Sequence, residues 1–440
     1  MDIIEILKIT NGTLIRKTKY DKLKDIKLDS RKVQKGDIFL AINKGHNYIE
    51  EALRNGANLL IVDQDIEIYK KINIIKVKDS IDTLHKLANY IRQKYNPVVI
   101  AITGSVGKTT TKEMLYDILS KKYNVIKNEG NENNHIGVPK TLLKINENTD
   151  IVITEMGMNH ENEIKILSNL AKPDVALITN IGTSHIGNMK SKKNIYNEKL
   201  QIISGMDDGV LIINQNDNYL KKTKEIGNIN IRRVGNKEDS DLIAYNLKMT
   251  DNGVETLIYI DNIEYELKAL SKSFLLNKLL VIETALLFDI DIKDILSIIE
   301  KYRMTNNRLE HFTIDNINVI SDCYNASLES FINGLDIIKK ERKDKILILG
   351  DILELGKYSK KVHKKIGRKI RKIKNCKLVL VGTWTEYIYK YNKKRTIKCN
   401  NNEEIKQLLK LSNLNNTVIF IKGSHGMHLE EITEFLKNEY

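Results

Sequence analysis

Short apolar runs alternate with stretches of helical period along nearly the whole chain. Val98 to Ile102 (VVIAI) is apolar and β-branched, needs cover on both faces, and is read as a buried strand. After the turn TGSVGKTT, Met114, Leu115, Ile118 and Leu119 fall at i, i+1, i+4 and i+5 and share one helix face. Ahead of this unit lie DIFLA, a helix from Asn47 to Arg54, NLLIVD and NIIKV. A helix from Ser80 to about Tyr95, with Ile81, Leu84, Leu87, Ala88 and Ile91 on one stripe, leads through Asn96 and Pro97 into the Val98 strand. Beyond it come the strands DIVITE and DVALITN, then a strand-rich region from Gly209 to about Leu270 (VLIIN, ETLIYI, EYELKAL). Helices from Phe274 to Phe288 and from Ile292 to Tyr302 precede MTNNRLEHF. A second alternation follows: INVISD, SLESFINGLDII, KILILG, SKKVHKKIGRKI, KLVLVG, TVIFIKG and HLEEITEFL. Such alternation predicts parallel sheets covered by helices.

At 440 residues the chain exceeds one ordinary core, and domain sizes suggest about three. The expected fold is α/β in three domains: a small N-terminal unit over 1–82, a central parallel-sheet domain over 83–309 and a Rossmann-like domain over 310–440. The formal charge of +14, from 71 basic and 57 acidic residues, favours anionic partners. Lys scattered among abundant Ile and Asn is read mostly as compositional bias, and runs such as Lys360, Lys361, Lys364 and Lys365 as solvated surface. With one Trp and seven Phe, little is available for base stacking, so a nucleic-acid partner is not expected. Cys323, Cys376 and Cys399 form neither a disulfide framework nor a zinc pattern, which fits a reducing compartment. MDIIEILKIT lacks the marks of a signal peptide and no apolar stretch approaches a membrane span, so the expectation is a cytoplasmic, monomeric protein.

The turn Gly104, Ser105, Val106, Gly107, Lys108, Thr109, Thr110 opens a helix straight after a buried strand. Its free N–H groups, the positive end of the helix dipole and the Lys108 charge make a phosphate cradle. The general P-loop spelling wants glycine five positions before Gly107, where Ile102 stands. Two further strands end in polar groups, at Glu155 and in the turn Asn180 to His185. Ligands of an open parallel sheet gather at the carboxyl ends of its strands, so these groups should meet the P-loop, with Mg²⁺ bridging phosphates. His185 reads equally well as a turn cap, and Lys199 as a solvent-facing helix lysine. The dense Asn cluster from Asn128 to Asn134 is turn chemistry or a set of neutral phosphate ligands. Ser30 and Arg31, ahead of a strand, could meet a diphosphate or simply face water.

Taken together, TGSVGKTTTKEM, NENNHIGVP, EMGMNHENEI, ITNIGTSH, NNRLE, DCYNAS and IKGS resemble, in order and spacing, the motifs of the Mur ligases, ATP-dependent amide-forming enzymes of cell-wall precursor synthesis. GDILELG, from Gly350 to Gly356, followed by His363, is similar to the marker of members that join D-alanyl-D-alanine to UDP-N-acetylmuramoyl-tripeptide, and no DNPR-type motif of the third-residue-adding sibling is present. The resemblance implies an acyl phosphate made from ATP and attacked by the dipeptide amine. It implies Lys108 and Gly107 on the β- and γ-phosphates, Thr109 and Glu155 on one Mg²⁺, and His185 on a second. Lys199 matches the position carried as a carbamylated lysine (N6-carboxylysine), an anionic metal ligand. Asn134 would reach the γ-phosphate, Asn277 the adenine, and Arg308 and Asp322 the phosphate and ribose. Ser30, Arg31, Gly45, His46, Asn325, Asp351 and Glu354 would serve the substrates.

The chain departs from the family at several points. Phe274 replaces an Asn near the adenine, Gln201 a Glu, Ser327 and Leu328 an Asn-Pro pair, and His425 an Arg, while INKGHNY is a shortened substrate loop. The alternatives are a Mur-type ligase for another acid and amine, either third-residue-adding or folylpolyglutamate-like, and a nucleic-acid-binding P-loop ATPase.

Overall fold

The alternation of apolar strands and amphipathic helices resolves into three sheets in a computed structural model that describes residues 1–18, 22–68, 71–250, 253–304 and 307–439. The N-terminal sheet has five strands in the order Thr13–Arg16, Asn73–Lys76, Leu59–Val62, Ile38–Leu40, Ile26–Lys27, and only the first pairing is antiparallel. The third has six, in the order Glu310–Ile314, Ile317–Ser321, Thr417–Lys422, Asp344–Leu349, Cys376–Val381, Thr396–Cys399, again with one antiparallel edge.

The central sheet has nine strands, and its middle positions the functional loops. Val98–Thr103 lies between Ile151–Glu155 and Val175–Ile178, all parallel, so three strand ends open on one crevice. Val99 to Ile102 are fully buried, as a strand covered on both faces requires. Between Gly209 and Ala269 five strands form where the apolar runs suggested three. Ile229–Gly235 and Leu242–Thr250 are half-exposed and interrupted by charges such as Arg232, Arg233 and Lys248, so no continuous apolar run marks them. Gly253–Ile260 and Ile263–Ala269 then finish the sheet as an antiparallel hairpin edge.

The helix Ser80–Tyr95 is shared between units. Asp79 caps its start and Asn96, at φ 47°, ends it. Leu84 and Leu87 pack in the N-terminal core, Ala88 and Ile91 in the central one, so the division drawn at 82 and 83 falls inside a continuous helix. Thr305 and Asn306, in MTNNRLEHF, lie outside the described residues.

In the C-terminal unit the turn GDILELG is tied down by a buried histidine. His363 Nδ1 donates to Ser359 O (2.8 Å) and its Nε2 accepts from Ile352 N (3.1 Å), an arrangement that requires the neutral ring. Burial lowers its pKa below 6.5, against the pull of the Ser359 carbonyl and Asp351. The unfolded chain therefore takes up a proton at this group before the folded one does. Stability from this source is complete above about pH 6.5 and is lost as pH falls through that value towards the folded pKa. Denaturant unfolding at stepped pH is expected to show a decline over this window that His363→Gln makes shallower.

Candidate active site

The strand ends and the opening of the helix Lys108–Leu119 form the floor of a cleft of about 690 Å³. Its walls come from two units: the P-loop residues 105–110, Asn133, Asn134, Glu155, His185 and Asn277 on one side, and Asp322, Tyr324, Asn325 and His425 on the other, with Arg308 at the junction. The loop is built by close approach. A Cβ on Gly104 (φ 151°) would sit 1.8 Å from Thr179 Oγ1, and one on Gly107 (φ 93°) 2.4 Å from the Asn277 amide. Asn180 holds the turn by accepting from Val106 N (3.1 Å) and donating to Val106 O (2.7 Å).

Charge is concentrated at the floor. Glu155 accepts from Thr109 Oγ1 (2.6 Å) and Asn133 Nδ2 (2.8 Å), and Lys108 Nζ stands 3.9 Å away while donating to Gly104 O (3.1 Å). Burial pushes the Glu155 carboxyl up, but Lys108, the Thr109 hydroxyl, Arg308 and Asn133 outweigh it and hold it below the usual carboxylate range. Burial lowers the Lys108 pKa; Glu155 opposes this and Arg308 adds to it.

Lys199 is the departure from a solvent-facing lysine. It is buried in the helix Lys192–Leu200, and among the described residues its ammonium has no hydrogen bond or ion pair. Burial first, then the Lys108 charge, lower its pKa well below 10.5, with Glu198 and Glu155 only partly opposing. Neighbouring Glu198 is already engaged, accepting from Asn162 N and Ile164 N at the start of the earlier helix Glu163–Ala171.

On the opposite wall Arg308 Cζ stands over the Tyr324 ring, 3.7 Å from its centroid. Asp322 accepts from Leu309 N (3.2 Å) and from the buried Lys422 Nζ (2.5 Å), which also reaches Asn325 O (3.3 Å). Burial raises the Asp322 pKa, with Lys422 offsetting part of the effect. Phe274 lines the cleft beside Asn277, and His425 stands edge-on to Tyr324.

Of the remaining expected site residues, all but Asn134 lie apart from the cleft. Asp351 is buried, its carboxylate accepting from Thr383 N and Thr385 N (both 2.9 Å). Glu354 faces His185 across the unit boundary, Oε2 within 2.7 Å of Nδ1. In the N-terminal unit Ser30 donates to Glu51 (2.5 Å), Arg31 pairs with Asp29, Gly45 lies in the turn Asn43–Tyr48, and His46 Nε2 is 3.1 Å from Asp63. Asn134 lines the cleft but spends its side-chain oxygen on Ile136 N and Gly137 N, so the amide that reaches Glu155 belongs to Asn133.

Sequence reasoning also missed Glu329, in the position after the Ser327-Leu328 pair. From the first turn of its helix it accepts from Thr183 N (2.9 Å) and Thr183 Oγ1 (2.7 Å) and pairs with Lys192 (3.0 Å), fastening the turn that carries His185 to the C-terminal unit. Burial pushes its carboxyl up, and Lys192 with the Thr183 bonds brings it below the usual range. Glu329→Gln is expected to cost about 1–3 kcal/mol of that fastening and to speed amide exchange over 181–190. Unchanged exchange there would contradict the assignment.

As to a metal, among the described residues no three His, Cys, Asp or Glu side chains gather as a cation cage. Thr109 and Glu155 nevertheless fit Mg²⁺, which takes one or two protein oxygens and completes its shell with phosphates and water.

Residues 102–285 match the Mur ligase middle domain, and residues 307–425 the Mur ligase, glutamate ligase domain. The chain is 35% identical to the UDP-N-acetylmuramoyl-tripeptide--D-alanyl-D-alanine ligase of Rickettsia prowazekii, covering 93% of this chain and 94% of the relative. A crystal structure of MurF from Acinetobacter baumannii superposes with a TM-score of 0.88 at 26% identity, covering 99% of this chain and 98% of that one. MurF ligase from Thermotoga maritima in complex with ADP gives 0.82 at 26% identity, covering 96% and 99%.

Proposed function

The chain belongs to the Mur ligase family, and from that membership we propose that it joins D-alanyl-D-alanine to UDP-N-acetylmuramoyl-tripeptide in cytoplasmic peptidoglycan-precursor synthesis, converting ATP to ADP and phosphate. The observation that carries the reading is end-to-end similarity, N-terminal unit included, to a relative named for that activity.

In this reading ATP lies with its phosphates in the P-loop, its γ-phosphate toward Lys108 and the adjacent amides of Asn133 and Asn134 and its nucleoside toward Asn277, Arg308 and Asp322. One oxygen of the tripeptide carboxylate bonds to the γ-phosphorus as the bond from that phosphorus to the β,γ-bridging oxygen breaks and ADP leaves, giving an acyl phosphate in which that oxygen bridges carbon and phosphorus. The dipeptide amine then adds to the acyl carbon, and the tetrahedral intermediate loses a proton and expels phosphate to leave the amide. Two anions must approach for the first step, so cations and buried donors around Lys108 and Arg308 lower the barrier most. Mg²⁺ on Thr109 and Glu155 would supply further charge neutralisation of the phosphates.

Lys199 fits a carbamate, because a buried amine driven toward neutrality can add carbon dioxide, and the resulting anion is compensated by Lys108. His185, oriented by Glu354, and carbamylated Lys199 are assigned to a second Mg²⁺. The nucleotide-sugar end is assigned to the unit over 1–82 through Ser30, Arg31, Gly45 and His46, the ATP site to 83–309, and the amine side to 310–440 with Asn325. Asp351 and Glu354 are assigned indirect roles, shaping the turn that faces His185.

The test is phosphate release by the purified chain with ATP, UDP-N-acetylmuramoyl-tripeptide and a panel of amines. Turnover with D-alanyl-D-alanine and little with single amino acids is expected; the reverse preference would overturn the assignment.

A further inference from the structure

The positive charge of this protein is not scattered. The segment from Gly356 to Lys398 holds 16 of the 71 Lys and Arg but one of the 57 Asp and Glu, Glu386, so the other residues balance at 55 against 56. A bias toward lysine across the composition would not leave the rest of the chain almost neutral.

The fold gathers this segment at one edge of the C-terminal sheet. The helix Ser359–Ile370 buries Val362, His363, Ile366 and Ile370 and turns Lys360, Lys361, Lys365 and Arg368 to solvent. It packs closely on the helix Glu386–Tyr389: a Cβ on Gly367 would sit 3.0 Å from Ile388 Cα, and Asn392 donates to both Gly367 O and Ile388 O (3.0 Å each). Arg395 locks the far end by donating to Ile370 O and Ile373 O (2.6 Å each). On this rigid base Tyr387 is ringed by Lys360, Lys364 and Lys390, Tyr391 carries Arg368, and Trp384 stacks on Tyr387. Among the described residues only Lys369, with Asp336, and Lys398, with Glu386, of the 16 cations make an ion pair. None of these residues lines the catalytic cleft.

We propose that this edge docks the protein on the surface of a bilayer containing anionic phospholipid. Unpaired exposed cations complement headgroup phosphates, each strengthening attachment about fivefold, and Trp and Tyr suit headgroup depth. The arrangement favours lipid over nucleic acid because Tyr387 and Tyr391 already carry the protein's own cations and are not free to stack on bases. No helix is long and apolar enough to cross a membrane among the described residues, so contact is peripheral.

Trp384 is the only tryptophan, beside 19 Tyr, so selectively excited tryptophan emission of the full chain reports this surface alone. Vesicles of phosphatidylcholine with about one-third phosphatidylglycerol are expected to bind the chain and blue-shift Trp384, an effect lost at high salt and absent with pure phosphatidylcholine. The quadruple variant Lys361→Glu, Lys365→Glu, Arg371→Glu, Lys372→Glu should bind at least about 100-fold more weakly while ligation of the soluble substrates is unchanged. Equal binding to neutral vesicles, no vesicle-dependent change in Trp384, or tighter binding to single-stranded or duplex DNA than to anionic vesicles would each overturn the proposal.

Discussion

Replacing Lys108 with Ala is expected to lower turnover about 10³-fold or more while the protein remains folded. Lys108 is the full positive charge of the phosphate cradle, standing 3.9 Å from the buried Glu155. Without it, the γ-phosphate meets the attacking carboxylate with less neutralisation, and Glu155 loses the strongest influence opposing its burial. The Glu155 pKa should therefore rise, weakening its hold on a cation as well. The measurements are kcat and KM for ATP, with circular dichroism to establish the fold. Turnover within tenfold of the parent would contradict the placement of Lys108 at the transferred phosphate.

The second large effect is at Lys199. Lys199→Ala and Lys199→Arg are both expected to lose at least about 100-fold in turnover. Arg restores a cation but cannot add carbon dioxide, so equal loss means that the native group acts as an anion. Intact mass under conditions that retain carbon dioxide should show one added CO2 on the parent and none on either variant. Near-normal activity of Lys199→Arg would rule out the carbamate.

Much of this was legible because parallel sheets are covered on both faces. The Val98 run, the strands ending at Glu155 and near Asn180, and the helix stripe of Leu84 to Ile91 all announce themselves in apolar spacing. Ile229–Gly235 does not, because a half-exposed strand can carry Arg232 and Arg233 without cost. Lys199 was opaque for a related reason: nothing in the surrounding helix, whose polar residues run all round, says which face is buried. Neither does sequence separate Asn133 from Asn134, since adjacent amides are distinguished only by which one the turn consumes. Glu329 was hidden because its partner Thr183 lies 146 positions earlier in the chain. The charged edge shows only when lysines and carboxylates are counted together over a whole segment, since each short run alone looks like ordinary solvated surface.

The cleft is assigned the activation of the tripeptide carboxylate as an acyl phosphate, which the amine then attacks. Labelling that carboxylate with ¹⁸O and following the released phosphate tests it directly. Transfer of one ¹⁸O into phosphate for each amide formed is the predicted result. Phosphate free of label, alongside normal amide formation, would contradict it.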